Sequence, residues 1–393
     1  MPPESARPPV SEFSNPQSAI ESRQAPQWPL WSVYLGMSWT WCIGMFLPVL
    51  LVRDYGLMSF LIFAIPNIAG AAAMGWVMRS SSASAELLEK HSIACDAFSA
   101  VTIAFQAFFI GWISARWLPT PWVGFAAFGA LAVGFFVVGR YVPGGERGGA
   151  VVAALVSWFL LVIVLRYRLE LGLRLPEGRA GSLGDLIALS AVCALGFLSC
   201  PYLDRTFHTA RMATDDRSAR WAFGMGFGLV FASMLVFTLL YCDLVGLARL
   251  RPAILWAIVI HMLVQAAFTS AAHAALLRPA MKLILAGGLF VLFALAGALA
   301  RSEIAGMEAG EFGYRLFMGF YGLVAPAYVL LFPARGARPG WGVLLVVVVA
   351  AVPFYWLAFM DRQMPWVLVG VAVVLVVRLL IALGDRSVRL QGR

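Results

Sequence analysis

Residues 196–211 read GFLSCPYLDRTFHTAR, and in this stretch an apolar run turns polar without leaving the helical pattern. Its first half suits hydrocarbon and its second half does not. Pro201 removes one backbone donor and clashes with the carbonyl four residues earlier, and Gly196 loosens the preceding turn, so a helix entering here is expected to break near Cys200. Backbone groups freed at membrane depth persist only where protein or a water-filled cavity meets them. The stretch therefore predicts one wall of a buried polar site. Cys200 is placed to meet a solute, and Tyr202, just past the break, to act as an inner gate.

The rest of the chain supports a membrane setting. Of its 393 residues, 61% are hydrophobic and 12% charged, with a mean hydropathy of +0.84, which exceeds the apolar content of soluble domains. This composition predicts an all-α polytopic protein of the plasma (inner) membrane. The net charge of +9 would raise nucleic acid as a partner in a soluble protein. Here arginine collects in short segments between apolar runs and fits a face toward anionic lipid, so the bilayer is the expected partner and nucleic acid is not. Cys42, Cys95, Cys193, Cys200 and Cys242 lie in or beside apolar runs with no CxxC spacing, which points to neither a disulfide framework nor a zinc site. Residues 1–28 are rich in Pro and Ser and read as a disordered cytoplasmic tail.

Runs long enough to cross the hydrocarbon occur about twelve times, near 30–52, 57–78, 92–115, 120–138, 150–165, 184–209, 221–242, 253–277, 280–300, 314–333, 341–360 and 365–384. The fifth is short for a span. Lys and Arg are more numerous in the segments that share a side with the amino terminus, which predicts both termini in the cytoplasm, with 385–393 as a second tail.

Gly44 and Pro48 interrupt the first span as Gly196 and Pro201 interrupt the sixth. Broken helices opening two successive five-span units are the pattern of inverted-repeat transporters, in which solute binds at the midplane against unwound backbone. Thr40, Cys42, Gly44 and Met45 are the expected solute contacts on the first span. The third span carries Ser92, Asp96, Ser99, Thr102 and Gln106 within one stripe. Asp96 reads either as an interface carboxylate within reach of His91 or Lys90, or as a coupling group. On the eighth span His261, Gln265, Thr269 and His273 recur every four residues, a face read either as interhelical hydrogen bonding or as a ligand-facing surface. Gln106, Gln265 and Thr269 are the expected hydrogen-bonding groups, and His261 and His273 join Asp96 as candidates for coupling. Trp39 and Trp41 lie well inside the first span, where they serve either packing or an aromatic cage. Trp28, Trp31, Trp117 and Trp122 suit the interfacial belt.

Four stretches resemble the sodium/solute symporter family. SWTWCIGMFLPVLLVRDYG, residues 38–56, is similar to its first core helix, and CPYLDRTFHTAR, residues 200–211, to its sixth. AAFTSAAHAALL, residues 266–277, is similar to the eighth, and GFYGLVAPAYVLLFPARGARPGWGVLL, residues 319–345, to the tenth helix and the basic loop after it. The resemblance implies a LeuT-like core of two inverted five-helix repeats, 29–165 and 184–333, followed by two additional helices in 341–384. It also implies sodium binding by adjacent hydroxyls on the eighth helix. Ser270 is retained there and Ala271 stands beside it, so one hydroxyl ligand is missing and either Na+ or H+ is the expected coupling ion.

Taken together, these features predict a secondary transporter of a small polar or organic solute working by alternating access. The alternative is a transporter-like sensor or accessory subunit that binds a ligand without net transport. An intramembrane enzyme is not expected, since the chain has no HExxH motif and no paired intramembrane carboxylates. Asp204 and Arg205 are expected to pair with loop charges away from the solute.

Overall fold

Several helices begin where the sequence supplies a cap or an early proline. Pro121, Pro252 and Pro279 each take the first helical position, where a missing N–H costs nothing. Ser182 and Asp185 form a reciprocal capping box at the start of Leu183–Ser199, satisfying two orphan donors at once. The computed structural model describes residues 27–172, 176, 178–244, 250–332 and 341–391. Most of the expected tail 1–28 and the basic loop 333–340 lie outside the described residues.

In chain order the helices are α1 (Trp28–Ser38), α2 (Cys42–Tyr55), α3 (Leu57–Val77), α4 (Ser81–Lys90), α5 (Ser92–Trp117), α6 (Pro121–Tyr141), α7 (Gly145–Glu170), α8 (Leu183–Ser199), α9 (Arg205–Met212), α10 (Asp216–Met225), α11 (Ala232–Tyr241), α12 (Pro252–Leu276), α13 (Pro279–Leu299), α14 (Ala309–Gly319), α15 (Ala325–Leu331), α16 (Trp341–Phe359) and α17 (Val367–Gln391). Wide π turns, Gly226–Phe231 and Phe320–Val324, join α10 to α11 and α14 to α15. A two-stranded hairpin, β1 (Glu303–Ile304) and β2 (Met307–Glu308), precedes α14.

The chain is an all-α polytopic membrane protein. Among the described residues ten helical segments are long and apolar enough to span a membrane, and the α1–α2 pair, bent by 52°, makes an eleventh. The ninth expected span, 280–300, falls on α13, whose apolar stretch Gly288–Leu299 is shorter than the others. The fifth span is not short: α7 extends over Gly145–Glu170, because Gly148 and Gly149 continue the helix that the apolar run alone did not reach. Residues 385–391 continue α17 as helix. Trp31 is buried, with Arg147 over its ring, and so does not belong to an interfacial belt.

α5 and α12 are buried along most of their lengths and form the centre of the molecule, whereas α6, α16 and α17 turn most of their surface outward. α3 packs closely along α8, and α1 crosses the first π turn. The connections gather at two ends. One holds Arg53, Arg116, Glu308, Glu311 and Arg362, and the backbone of 178–181 is laid across the end of α2 there. Arg179 N–H donates to Arg53 O (3.2 Å) and Gly181 N–H to Tyr55 O (3.1 Å), which satisfies carbonyls that end a helix without partners. A Cβ on Gly178 would sit 1.7 Å from Val52 O, so only glycine permits this approach. The other end holds Arg79, His91, Asp96, Arg205, Arg211 and Arg278.

Candidate functional site

The first helix breaks at residues 39–41, not at Gly44 and Pro48. Trp39 keeps a helical backbone, Trp41 is extended (ψ 176°), and α2 restarts at Cys42. Cys42, Gly44 and Met45 are therefore helical, which corrects the expectation of unwound backbone there. Pro48 does remove the N–H that would serve the Gly44 carbonyl. Thr238 Oγ1 on α11 donates to that carbonyl instead (2.9 Å), and the hydroxyls of Tyr241 and Tyr314 donate to Met45 O (2.6 Å) and Cys42 O (2.9 Å). Thr40, at the break itself, turns its hydroxyl back to Gly36 O (2.7 Å).

The second break falls near Cys200, as the proline predicts. α8 ends at Ser199, a tight turn covers Cys200–Leu203, Asp204 is extended, and α9 restarts at Arg205. Asp204 is the cap of α9: its Oδ1 accepts from Thr206 N–H and from Thr206 Oγ1, each at 2.7 Å. Ser38 Oγ donates to Thr206 Oγ1 (3.2 Å), so the last residue of α1 is tied to the first turn after the second break.

A buried polar node grows from this link. The free oxygen of Asp204, Oδ2, lies 3.8 Å from His273 Nε2 on α12, and His273 Nδ1 is 3.0 Å from Ser99 Oγ on α5. Asp204, His273 and Ser99 are fully buried, and Asp204 Oδ2 and His273 Nε2 have no hydrogen-bond partner among the described residues. Trp41 packs edge-on against His273 (ring centroids 5.8 Å). Asp204 thus faces the centre of the molecule, which corrects the expectation that it pairs with loop charges. Arg205 instead reaches Asp96, at 2.7 Å.

The remaining expected residues divide between places. His261 and Gln265 form a second cluster with Ser157 of α7, whose Oγ is 3.1 Å from His261 Nδ1 and 2.8 Å from Gln265 Nε2. Thr269 and Ser270 are buried with hydroxyls that have no partner among the described residues, and both amide atoms of Gln106 share that condition. Asp96 is not held by His91 or Lys90. It forms an ion pair with Arg205 and accepts a hydrogen bond from Arg278, while Lys90 pairs with Glu86 and His91 bonds Tyr328. Tyr202 is half-buried and contributes its backbone carbonyl to His208 Nε2 (3.0 Å).

Beside the breaks lies a cavity of about 70 Å³ whose walls include Trp39, Trp41, Gly44, Asn67, Gly196, Cys200 and Tyr321. Trp39 Nε1–H donates to Asn67 Oδ1 (2.7 Å) and Trp41 Nε1–H to Ser38 O (2.5 Å), so both indoles are fixed, 4.5 Å apart, with their donors already used. The lining is mainly apolar. Of the expected contacts, Gly44 and Cys200 line the cavity; Thr40, Cys42, Met45, Gln106, Tyr202, Gln265 and Thr269 do not.

The two ends differ. At one, Glu311 accepts from Arg53 (2.7 Å), Arg315 Nε (2.8 Å) and Arg362 (3.4 Å), beside clefts of about 610 and 560 Å³ that share Arg53 and Arg179. At the other, the fully buried Asp96 ties α5 to α9 through Arg205 and to the start of α13 through Arg278.

No protein-family model matches the chain, and a comparison with curated proteins found no relative. The functional reading therefore rests on geometry.

Several residues that build the node carried weak signals. Asp204 and Thr206 form the Asp-x-Thr spacing of a helix cap, which was present in the sequence but concealed by the adjacent Arg205. Ser157 stands alone in the apolar run VVAALVSWFLL and gave no signal. The donors Thr238, Tyr241 and Tyr314 are far in sequence from the carbonyls they serve.

Proposed function

We propose that this chain is a secondary active transporter of the sodium/solute symporter type, moving a small organic solute by alternating access on a LeuT-like core of repeats 29–165 and 184–333. One observation carries the reading: two interrupted helices meet at their breaks through the Ser38–Thr206 hydrogen bond, beside a buried carboxylate oxygen and imidazole nitrogen left without partners. Interrupted helices are costly in a bilayer and persist where a site needs them.

With both termini in the cytoplasm, the wide clefts around Arg53 and Arg179 open outward, and Asp96 with Arg205 and Arg278 closes the inner side. The solute enters by the clefts and binds against Trp39, Trp41 and Cys200. The coupling ion is a proton carried at Asp204 and His273, since Ser270 with Ala271 beside it offers sodium a single hydroxyl where a hard cation wants several oxygens. Ser99 bonds His273, and Cys95, Cys200, Tyr34 and Tyr321 are titratable groups within electrostatic reach of Asp204, with Arg205 and Asp96 toward the closed end.

The cavity volume favours a second reading in one respect. About 70 Å³ is well below the roughly 300 Å³ at which ordinary small-molecule sites begin, which suits a sensor or accessory subunit that closes around a very small ligand. Uptake into proteoliposomes separates the two. Amino acids, sugars, carboxylates and quaternary amines are offered under an imposed pH gradient or a sodium gradient, with the unmodified protein and Asp204→Asn. Accumulation driven by the pH gradient and lost in Asp204→Asn is the expected result. Sodium-driven uptake insensitive to pH between about 5.5 and 8 would overturn proton coupling, and saturable binding with no accumulation would establish the second reading.

A further inference from the structure

Where α3 ends and α10 begins, two neighbouring clefts of about 290 and 320 Å³ share Trp76 and Arg220 as walls. Arg79 closes the first, and Arg217 and Trp221 line the second. Trp76 is 54% exposed and Trp221 51%. Arg79, Arg217 and Arg220 are exposed as well, and among the described residues none of the three has an acidic partner. Of the two nearby carboxylates, Asp215 caps α10, accepting from the backbone N–H groups of Arg217 and Ser218 (2.9 Å each), and Asp216 is held by the buried Arg211, which also donates to Met78 O (2.7 Å), Arg79 O (3.0 Å) and Thr214 O (3.0 Å). Arg211 therefore locks the backbone under the clefts and neutralises Asp216, which would otherwise compete for the arginines.

We infer that this surface binds the headgroup of an anionic phospholipid, with the phosphodiester among Arg79, Arg217 and Arg220. Guanidinium groups match phosphate oxygens in planar, bidentate geometry, and three without acidic partners leave a local positive charge that an anion offsets. A lipid is the occupant because the clefts lie where two spanning helices end and are walled by two exposed indoles, residues that favour the boundary between headgroups and acyl chains. Acyl chains continue along the outward face of the same helices, past Val77, Leu229 and Val236, all of them exposed. Basic pockets between spanning helices recognise lipid headgroups by this chemistry.

The test uses the purified full-length protein, delipidated in a neutral detergent, and reads bound lipid by native mass spectrometry alongside the thermal midpoint. Phosphatidylglycerol, cardiolipin, phosphatidylcholine and inorganic phosphate are titrated in parallel. The anionic lipids should bind and raise the midpoint, and phosphatidylcholine and inorganic phosphate should do neither at the same concentrations. Replacing all three arginines in R79Q/R217Q/R220Q should weaken binding of the anionic lipids on the order of 100-fold. Should the triple variant not fold, R217Q and W221A, each at an exposed position, carry the comparison with smaller losses of the same sign. Equal binding of phosphatidylcholine, equal binding by the variants, or stabilisation by inorganic phosphate matching that by lipid would each overturn the inference, the last by showing a soluble-anion site.

Discussion

Pro48 and Pro201 do the same thing to their helices and meet different surroundings. Each removes an N–H and frees the carbonyl four residues before it, Gly44 in one helix and Phe197 in the other. Around Gly44 the neighbouring helix α11 brings a hydroxyl, Thr238 Oγ1, to 2.9 Å, and α2 runs on to Tyr55. The Phe197 carbonyl faces the backbone of α3 at Gly70, where a Cβ would sit 2.3 Å away, and α8 stops two residues later. Pro326 stands at the start of α15, just after the second π turn, and the Gly322 carbonyl in that turn accepts from Tyr355 OH at 2.8 Å. Pro66 and Pro353 also stay inside α3 and α16, with no outside donor to Ile62 O or Val349 O among the described residues, so Thr238 serves the carbonyl that Pro48 frees, while the close approach of α3 at Gly70 marks the helix that stops.

The comparison can be broken most severely at Arg211, which holds the chain beyond the second break by donating to three carbonyls and pairing with Asp216. Arg211→Met should cost about 3–5 kcal/mol, because the carbonyls and the acid lose a buried charged partner. Loss of monodisperse protein on size exclusion is the expected sign, and a fully folded variant with an unchanged thermal midpoint would refute the anchor. Next in size, Gly70→Ala places a methyl group against the Phe197 carbonyl and should destabilise by about 1–3 kcal/mol, read as a lower midpoint of thermal unfolding. If the variant were as stable as the parent, α3 and α8 would not be in backbone contact at the break.

A double-mutant cycle sharpens the contrast at the first proline. Thr238→Val should cost about 1–2 kcal/mol by leaving the Gly44 carbonyl without its donor. In a Pro48→Ala background the restored N–H serves that carbonyl, and the same substitution should cost less than about half as much. Equal costs in the two backgrounds would mean that Thr238 does not compensate for Pro48. The smallest effect concerns His91, outside the spans, which bonds Tyr328 OH (2.9 Å). Partial burial and the neighbouring Lys90 hold its pKa below 6.5, so the fold favours the neutral ring. Its contribution to stability is complete above pH 6.5 and declines as pH falls below it. His91→Gln should remove a small acid sensitivity of the thermal midpoint while leaving intact any pH dependence of uptake, which the proposed mechanism assigns to Asp204 and His273. Were uptake to lose its pH dependence in this variant, the titration would belong to His91 and not to the node between the breaks.

The sequence by itself determined the membrane class, because spans are set by run length and hydropathy, and placed the second break, because Pro201 coincides with the change from apolar to polar residues. It also selected α5 and α12 as the helices with buried polar faces, through the stripe from Asp96 to Gln106 on one and the four-residue recurrence from His261 to His273 on the other. Only the tertiary structure decided the first break: the donor to the Gly44 carbonyl that Pro48 frees comes from Thr238, 194 residues along the chain, and the tyrosine hydroxyls on the neighbouring Met45 and Cys42 carbonyls come from as far away or farther. It also decided which polar groups share a site. Asp204 faces His273, Asp96 leaves His91 for Arg205 and Arg278, and Gln265 turns to Ser157. Helical periodicity specifies the face on which a side chain lies, whereas its partner is set by how the helices pack, and that depends on the whole chain at once.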